Sequence, residues 1–565
     1  MDLRVGEPAV DDPMGAAGWG PRRRVRASVI AALLLGGHPE AVRGPAAVRL
    51  VGAQVLGTLS LDYAEFQHHL RLKECRFAET IWLYGAHTRQ VSVIGSALVG
   101  LDASLARIDG NLRLIGNHVD GQVSLAGTHV IGDLRLDGAR LRNVGKVALN
   151  APRLRVENDL SMQERFRAEG EVTIRGAHVG GEIRMEEAEL ENPGGIAFYA
   201  SRGDFGSNIQ ASGLAARGEV RLSGAKVAGL VDLRDARLIS PGGDALIAHR
   251  AEIGASLDCT KDFRAEGRVR LTGSRIGGNL NFGGARLVNP HGFALDAQDL
   301  SVAGRVHCNH GFHASGSVDL SGSTVRSSVS FHTAVLTDPA KWSLALWHAR
   351  VGLLDLRSAT KAAGGVNLRH SVLNVLRDEP ATWPDTIVLD GLTYKALEPA
   401  DMAASRADWL KRHREGFLPQ PYEQLASVYR QTGQDGDARL ILLAKQRERR
   451  RRLPWYARAW GHLQDAAVGY GYRPERAIGW LLGLLVLGTV VFSLWPPTAA
   501  TTDPHPVFNP VVYTLDLLLP VINFGQGKSF IPTPGLQWIA YVLTAAGWIL
   551  ATTIAAAVAR AVNRN

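Results

Sequence analysis

The chain has 565 residues, with 63 Lys and Arg against 54 Asp and Glu, for a formal charge of +9. That length exceeds one ordinary domain, and 21% charged with 46% hydrophobic residues excludes a disordered chain. Three widely spaced cysteines, Cys75, Cys259 and Cys308, exclude a disulfide framework and fit a reducing compartment.

Residues 1–45 form an amino-terminal segment. Within it, "PRRRVRASVIAALLLGG" (21–37) has a short apolar core, Val29 to Leu35, with no small-x-small cleavage site after it. The stretch predicts a short amphipathic helix that caps the neighbouring repeats, not a signal peptide.

Residues 46–378 are repetitive. "ARIDGNLRLIG", "NHVDGQVSLAG" and "THVIGDLRLDG" align, placing Gly110, Gly121 and Gly132 at steps of 11. Leu112, Val123 and Leu134 form a second column, Leu114, Leu125 and Leu136 a third, and Ile108, Val119, Val130 and Leu141 a fourth. Apolar residues alternate within each unit, which is the period of a half-buried strand, and the recurrent glycine marks a turn. A second period of 48 or 49 residues relates "NPGG" at Asn192, "SPGG" at Ser240 and "NPHG" at Asn289. It also relates Gly170, Gly218, Gly267 and Gly316, each of which opens a strand. Short strands that cannot bury a face alone do so by stacking. The expectation is a mainly β fold, a parallel β-solenoid of about 14 coils at roughly 4.8 Å each, with every eleventh position covering its counterpart. Ala139, Ala177, Ala225 and Ala285 fall at its tight corners.

The units "GARL", "GAHVGGEI" and "GSRIGGNLNFGGARL" resemble pentapeptide-repeat and bactofilin-like solenoids. With "WPDTIVLDGLTY", "PQPYEQLASVYRQTGQDGDARLILLAKQRERRR" and "VGYGYRPERA", nearly the whole chain resembles an actinobacterial group of membrane-associated β-solenoid proteins often labelled membrane-associated oxidoreductase. The resemblance implies membrane association and an oxidoreductase activity, for which the sequence carries no redox motif.

Residues 379–405, with Pro380, Pro384 and Pro399, read as a linker or cap. Over 406–453 Tyr422, Leu425, Ala426 and Tyr429 share a helical face, Gly433 breaks the run, and Ala438, Leu442 and Lys445 resume it. This resembles one tetratricopeptide unit with a basic end that includes Arg450, Arg451 and Arg452. A juxtamembrane stretch, 454–476, precedes a predicted two-helix transmembrane hairpin over 477–565. Ala477–Trp495 and Leu536–Ala559 lack charges and have the length to span hydrocarbon. Trp480, Trp495 and Trp538 stand near their ends as interfacial anchors. Basic residues flank the outer ends, so both termini are expected on the cytoplasmic face of the cell membrane.

"VGYG" at Val468–Gly471 has the letters of a potassium-selectivity filter, but it precedes the first helix, where its carbonyls cannot line a pore. The loop between the helices has the right order for a pore module. Residues 509–530 form a candidate re-entrant segment with Asp516, Asn523 and Gly525, though the filter consensus is missing. The competing reading is an amphipathic helix at the membrane surface with Asp516 facing water.

The densest ligand-type cluster is "HCNHGFH": His307, Cys308, His310 and His313. A metal needs these side chains to converge, whereas neighbours in a strand point to opposite faces, so surface histidines on a turn are the expectation. No cofactor and no catalytic residue is nominated. The chain is expected to be a scaffold that meets membrane lipid and a protein partner on a solenoid face, with homo-oligomerisation open and no nucleic acid as partner. A channel-like or sensor protein and an oxidoreductase are the alternatives.

Overall fold

Leu112 pairs with Leu134, and Leu101 with Val123, in parallel ladders whose partners are 22 residues apart. The 11-residue unit is therefore half a coil. Successive units fall in two different sheets, and each is covered by the next unit but one, which corrects the expectation that every eleventh position covers its counterpart. The structure, a computed structural model, describes residues 1–36, 47–338, 342–414, 416–451, 454, 474–500, 507–519 and 522–562. It contains two compact units, Met1–Met402 with Arg412–Gly416, and Ala403–Lys411 with Phe417–Asn565.

The first unit is a parallel β-solenoid of about 15 turns. Among the described residues its strands form one sheet of 27 and another of 20. The alternation read from sequence has a direct cause: Ile108, Leu112, Val119, Val123, Val130, Leu134 and Leu141 are all buried in the interior. Corners are tight because Ala139, Ala177, Ala225 and Ala285 each close an i to i−3 hydrogen bond, onto Leu136, Ile174, Leu222 and Phe282. All four are at most 1% exposed, while Leu154, Phe166, Phe263 and Phe312 close the same bond at other corners. Phe263, Phe282 and Phe312 stack through the interior with centroids 6.3 and 6.1 Å apart.

The longer period is also physical. In the 20-stranded sheet, strands of 11 residues (Glu189–Tyr199, Arg237–Ile247, Arg286–Asp296) alternate with strands of seven (Ala215–Arg221, Arg264–Arg270, His313–Asp319). The register breaks between Glu191 and Ile196 where the long strand meets the short one, so Asn192–Gly195 bulge outward. The Asn192 side-chain amide donates to the Ile196 carbonyl at 2.8 Å, and Asn289 makes the same bond to Phe293. "NPGG", "SPGG" and "NPHG" are thus protrusions on every second coil.

At the amino-terminal end, Arg24–Arg26 pairs with Gln54–Leu56. Helix α1 (Ala27–Leu34) lies against the first strands and buries Ala27, Ile30 and Leu34. At the other end the solenoid runs past 378. Ile387–Val388 pairs with the strand at Gly365–Asn367, and Thr393–Glu398 with Val372–Arg377. The stretch read as a linker or cap over 379–405 therefore supplies a further coil at the end of the solenoid. Its prolines sit in connections: Pro380 opens a 3₁₀ turn and Pro399 follows the last strand.

In the second unit, α2 (Ala403–Leu410), α3 (Pro419–Gln431) and α4 (Asp435–Arg451) pack together. Tyr422, Leu425, Ala426 and Tyr429 are buried, as are Ala438 and Leu442. Among the described residues three longer helices come after them, α5 (Pro474–Leu494), α6 (Pro510–Leu518) and α7 (Gln537–Val562), with a single helical turn at Gln526–Ser529 before the last. Among the described residues no helix is long and apolar enough to cross a membrane. This leaves the transmembrane hairpin expected over 477–565 without support.

Candidate functional site

The most elaborately built local arrangement is in α5, α6 and α7. Helix α6 starts cleanly because Asn509 caps it, its Oδ1 accepting from the Val511 and Val512 amides at 3.0 and 3.3 Å. Its buried side, Tyr513, Thr514 and Leu518, lies against both longer helices, with Phe492 meeting Tyr513 edge to face at 4.9 Å. Two glycines make the seat. A Cβ on Gly488 of α5 would come within 2.4 Å of Thr514, and one on Gly547 of α7 within 2.2 Å of the Leu518 carbonyl oxygen. Small residues at such crossings let backbones approach closely.

Asp516 does not face water unpaired. Its Oδ1 accepts from the Phe524 amide at 2.6 Å, and its Oδ2 from the amides of Gln526 and Gly527 at 2.8 and 2.9 Å. Asn523 accepts from the Gly525 amide at 2.8 Å, and Gly525 takes a left-handed φ of +89°. The Gln526 side chain ties the loop to the start of α6, accepting from the Asn509 amide at 2.9 Å and donating to the Val507 carbonyl at 2.8 Å. One carboxylate thus gathers three backbone donors and holds the "NFGQG" turn in shape. Sequence reading named Asp516, Asn523 and Gly525 but missed Gln526, Gly488 and Gly547. Nothing in the sequence marks these last two glycines apart from Gly479 and Gly483, where an added Cβ meets open space.

Trp480, Trp495 and Trp538 are exposed, at 53%, 58% and 74%. Around them Leu482, Val486, Leu487, Val490, Tyr541, Val542, Trp548 and Ile549 are exposed as well. Arg450 and Arg451 end α4, where Arg451 pairs with Glu448 at 3.0 Å. Arg452 and the "VGYG" stretch lie outside the described residues.

The solenoid does not bring the His/Cys cluster together. His307 ends a two-residue strand half-exposed, while Cys308 turns into the interior and is fully buried. His310 sits on a corner at φ +51°, and His313 begins the next strand. Burial lowers the His307 pKa, with Arg305 and His310 adding to the shift, and burial raises the Cys308 thiol far above its usual range. Among the described residues no group of three such side chains can hold a metal ion.

The solenoid surface carries ion pairs two residues apart, such as Arg234 with Asp232 at 2.6 Å and Arg357 with Asp355 at 2.7 Å, and others that link neighbouring coils, such as Arg184 with Asp159 at 2.6 Å. The chain was compared with family models, curated proteins and solved structures, and none of them matches.

Proposed function

We propose that the chain is a membrane-tethered scaffold. The β-solenoid, a fold suited to a structural or interaction role, presents an extended face to protein partners, and α5 and α7 hold it to lipid with both termini on the cytoplasmic side. The observation that carries the tether is the belt of exposed apolar side chains on these two helices. Apolar surface on that scale is rare on a chain bathed in water and marks a partner or a membrane. Tryptophan at the ends and the arginine-rich end of α4 fit headgroup contacts.

The test is flotation of the full chain with liposomes of mixed neutral and anionic lipid, together with quenching of Trp480 and Trp538 by brominated acyl chains. Flotation that survives alkaline carbonate, with quenching of both indoles, is expected. A chain left in the soluble fraction overturns the tether.

A second reading is favoured by one specific arrangement, the seating of α6 between two longer helices with its pinned "NFGQG" turn. Helix, half-helix, loop and helix are the parts of a pore module that functions as an oligomer. Planar-bilayer recording of the purified chain tests it: single-channel currents support a pore, and silence at every voltage removes it.

A further inference from the structure

A groove of about 980 Å³ runs along the solenoid. One wall is a column of corner residues and the other includes Asp244, which directly follows the Ser240–Gly243 protrusion. Hydrogen bonds from coil to coil set its length. Arg153 donates to Arg175, Gly176 to Ser201, Arg202 to Ser223, Gly224 to His249, Arg250 to Thr272 and Gly273 to Gln298. Six steps at about 4.8 Å give a groove of about 29 Å, the reach of about nine residues of extended peptide.

Its two ends differ in charge. At the first, Arg153, Arg175 and Arg202 are exposed and make no ion pair among the described residues. Arg175 and Arg221 lie over the Tyr199 ring at 6.0 and 5.9 Å, and Arg221 is also held by Glu219, to which its Nε donates at 2.7 Å. At the other end stand two buried carboxylates. Asp244 is paired with Arg268, and Asp296 has Oδ2 at 3.7 Å from Arg270 and 3.8 Å from Arg268. The Asp296 residue is only 6% exposed, and its Oδ1 is buried with no hydrogen-bond partner. The Gln298 amide favours the charged form of this carboxyl but leaves Oδ1 without a partner. Burial raises the Asp296 pKa despite the two arginines. A buried acceptor left open in this way is costly until a donor reaches it.

We propose that this groove takes an extended segment of a partner protein, with acidic side chains on the Arg153–Arg175–Arg202 end and a lysine, arginine or amide donor at Asp296. The proposal rests on the scaffold reading and names its partner's chemistry. A uniform polyanion fits worse, because it brings no donor to the open Asp296 Oδ1. Nucleic acid lacks a stacking platform here, since Tyr199 is already flanked by two guanidinium groups.

The experiment uses the full chain in detergent and fluorescein-labelled nonapeptides at low salt. Two carry a glutamate block and a lysine block, in either order. A third is all glutamate, and inorganic polyphosphate is the competitor. One mixed peptide should bind at least tenfold more tightly than the all-glutamate peptide. The double variant Arg175→Ala/Arg202→Ala, both on exposed side chains, should lose at least tenfold with its thermal unfolding unchanged. Asp296→Asn should reduce the mixed peptide to the affinity of the all-glutamate one. Equal binding of polyphosphate, unchanged affinity in the double variant, or no binding by any peptide overturns the assignment. A partner crosslinked to the 27-stranded sheet while the groove stays empty removes the groove and leaves the scaffold standing.

Discussion

A Cβ on Gly218 would lie 2.5 Å from the carbonyl oxygen of Asn192. Gly218 also takes a φ of +123°, which side chains rarely adopt. Gly170, Gly267 and Gly316 repeat this geometry against Asn143, Ser240 and Asn289. The two marker sets of the longer period are therefore one device: each glycine lies at the middle of its seven-residue strand, not at the start the sequence suggested, and the protrusion closes over it. Gly218→Ala should cost about 3 kcal/mol through clash and strained backbone. Gly194→Ala, at φ +75° in open space, should cost about 1 kcal/mol. Urea unfolding of the two variants makes the comparison, and equal losses would refute the close approach.

Inward and outward positions can be separated directly. Leu112→Asp and Leu134→Asp each put a carboxylate into a fully buried site and should cost about 4 kcal/mol or prevent folding. Arg113→Ala, on the neighbouring half-exposed position, should cost about 1 kcal/mol or less. Far-UV circular dichroism with thermal melting reads the difference.

Acid should weaken the Asp355–Arg357 pair. Burial pushes the Asp355 carboxyl up, but the Arg357 guanidinium, the Arg357 amide and Arg377 together outweigh it, so its pKa falls below the usual value. A depressed folded-state pKa means that the contribution is complete above the unfolded value near 4 and is lost as pH drops through the folded one. Asp355→Asn should therefore be less stable than the natural chain at pH 7 by about 2 kcal/mol, with the gap closing toward pH 3. A gap that stays constant with pH would show that the pair does not titrate this way.

The thiols report on the interior. Cys75, Cys259 and Cys308 are free and buried, and burial pushes Cys75 up to about 11 and raises the other two well above the usual thiol range. Native protein at pH 8 should leave an aromatic disulfide reagent almost uncoloured, and guanidinium should release all three equivalents. Fast reaction of any thiol in the native chain would contradict its burial.

Asp516 offers a local test in the loop that follows α6. Asp516→Ala removes the acceptor of three amides, so hydrogen exchange at Phe524, Gln526 and Gly527 should accelerate by at least tenfold while α3 and α4 keep their protection. Unchanged exchange at these amides would mean that the loop is held by something else.

The columns Ile108 to Leu141 and Leu112 to Leu134 were legible because alternation and fixed spacing are all a stacked coil requires. What spacing alone does not state is which unit covers which. A repeat of 11 is equally compatible with one sheet or two, and only the pairing of Leu112 with Leu134 decides for two. The coil over 387–398 was hidden by Pro380, Pro384 and Pro399, which read as a break yet fall between strands. The partners of Asp516 are backbone amides eight to eleven residues on, and composition carries no trace of them. Likewise, Asp296 stands out only when the coils bring Arg268 and Arg270 beside it.

The alternation of a bulged coil with a plain one makes reach an adjustable, stepwise property of this molecule. Each pair of coils touches only the pairs above and below, so inserting or excising one 48-residue block leaves two ends that still mate. The span between whatever is held at either end then changes by about 10 Å, like a notch on a ruler, with each protrusion still meeting its glycine.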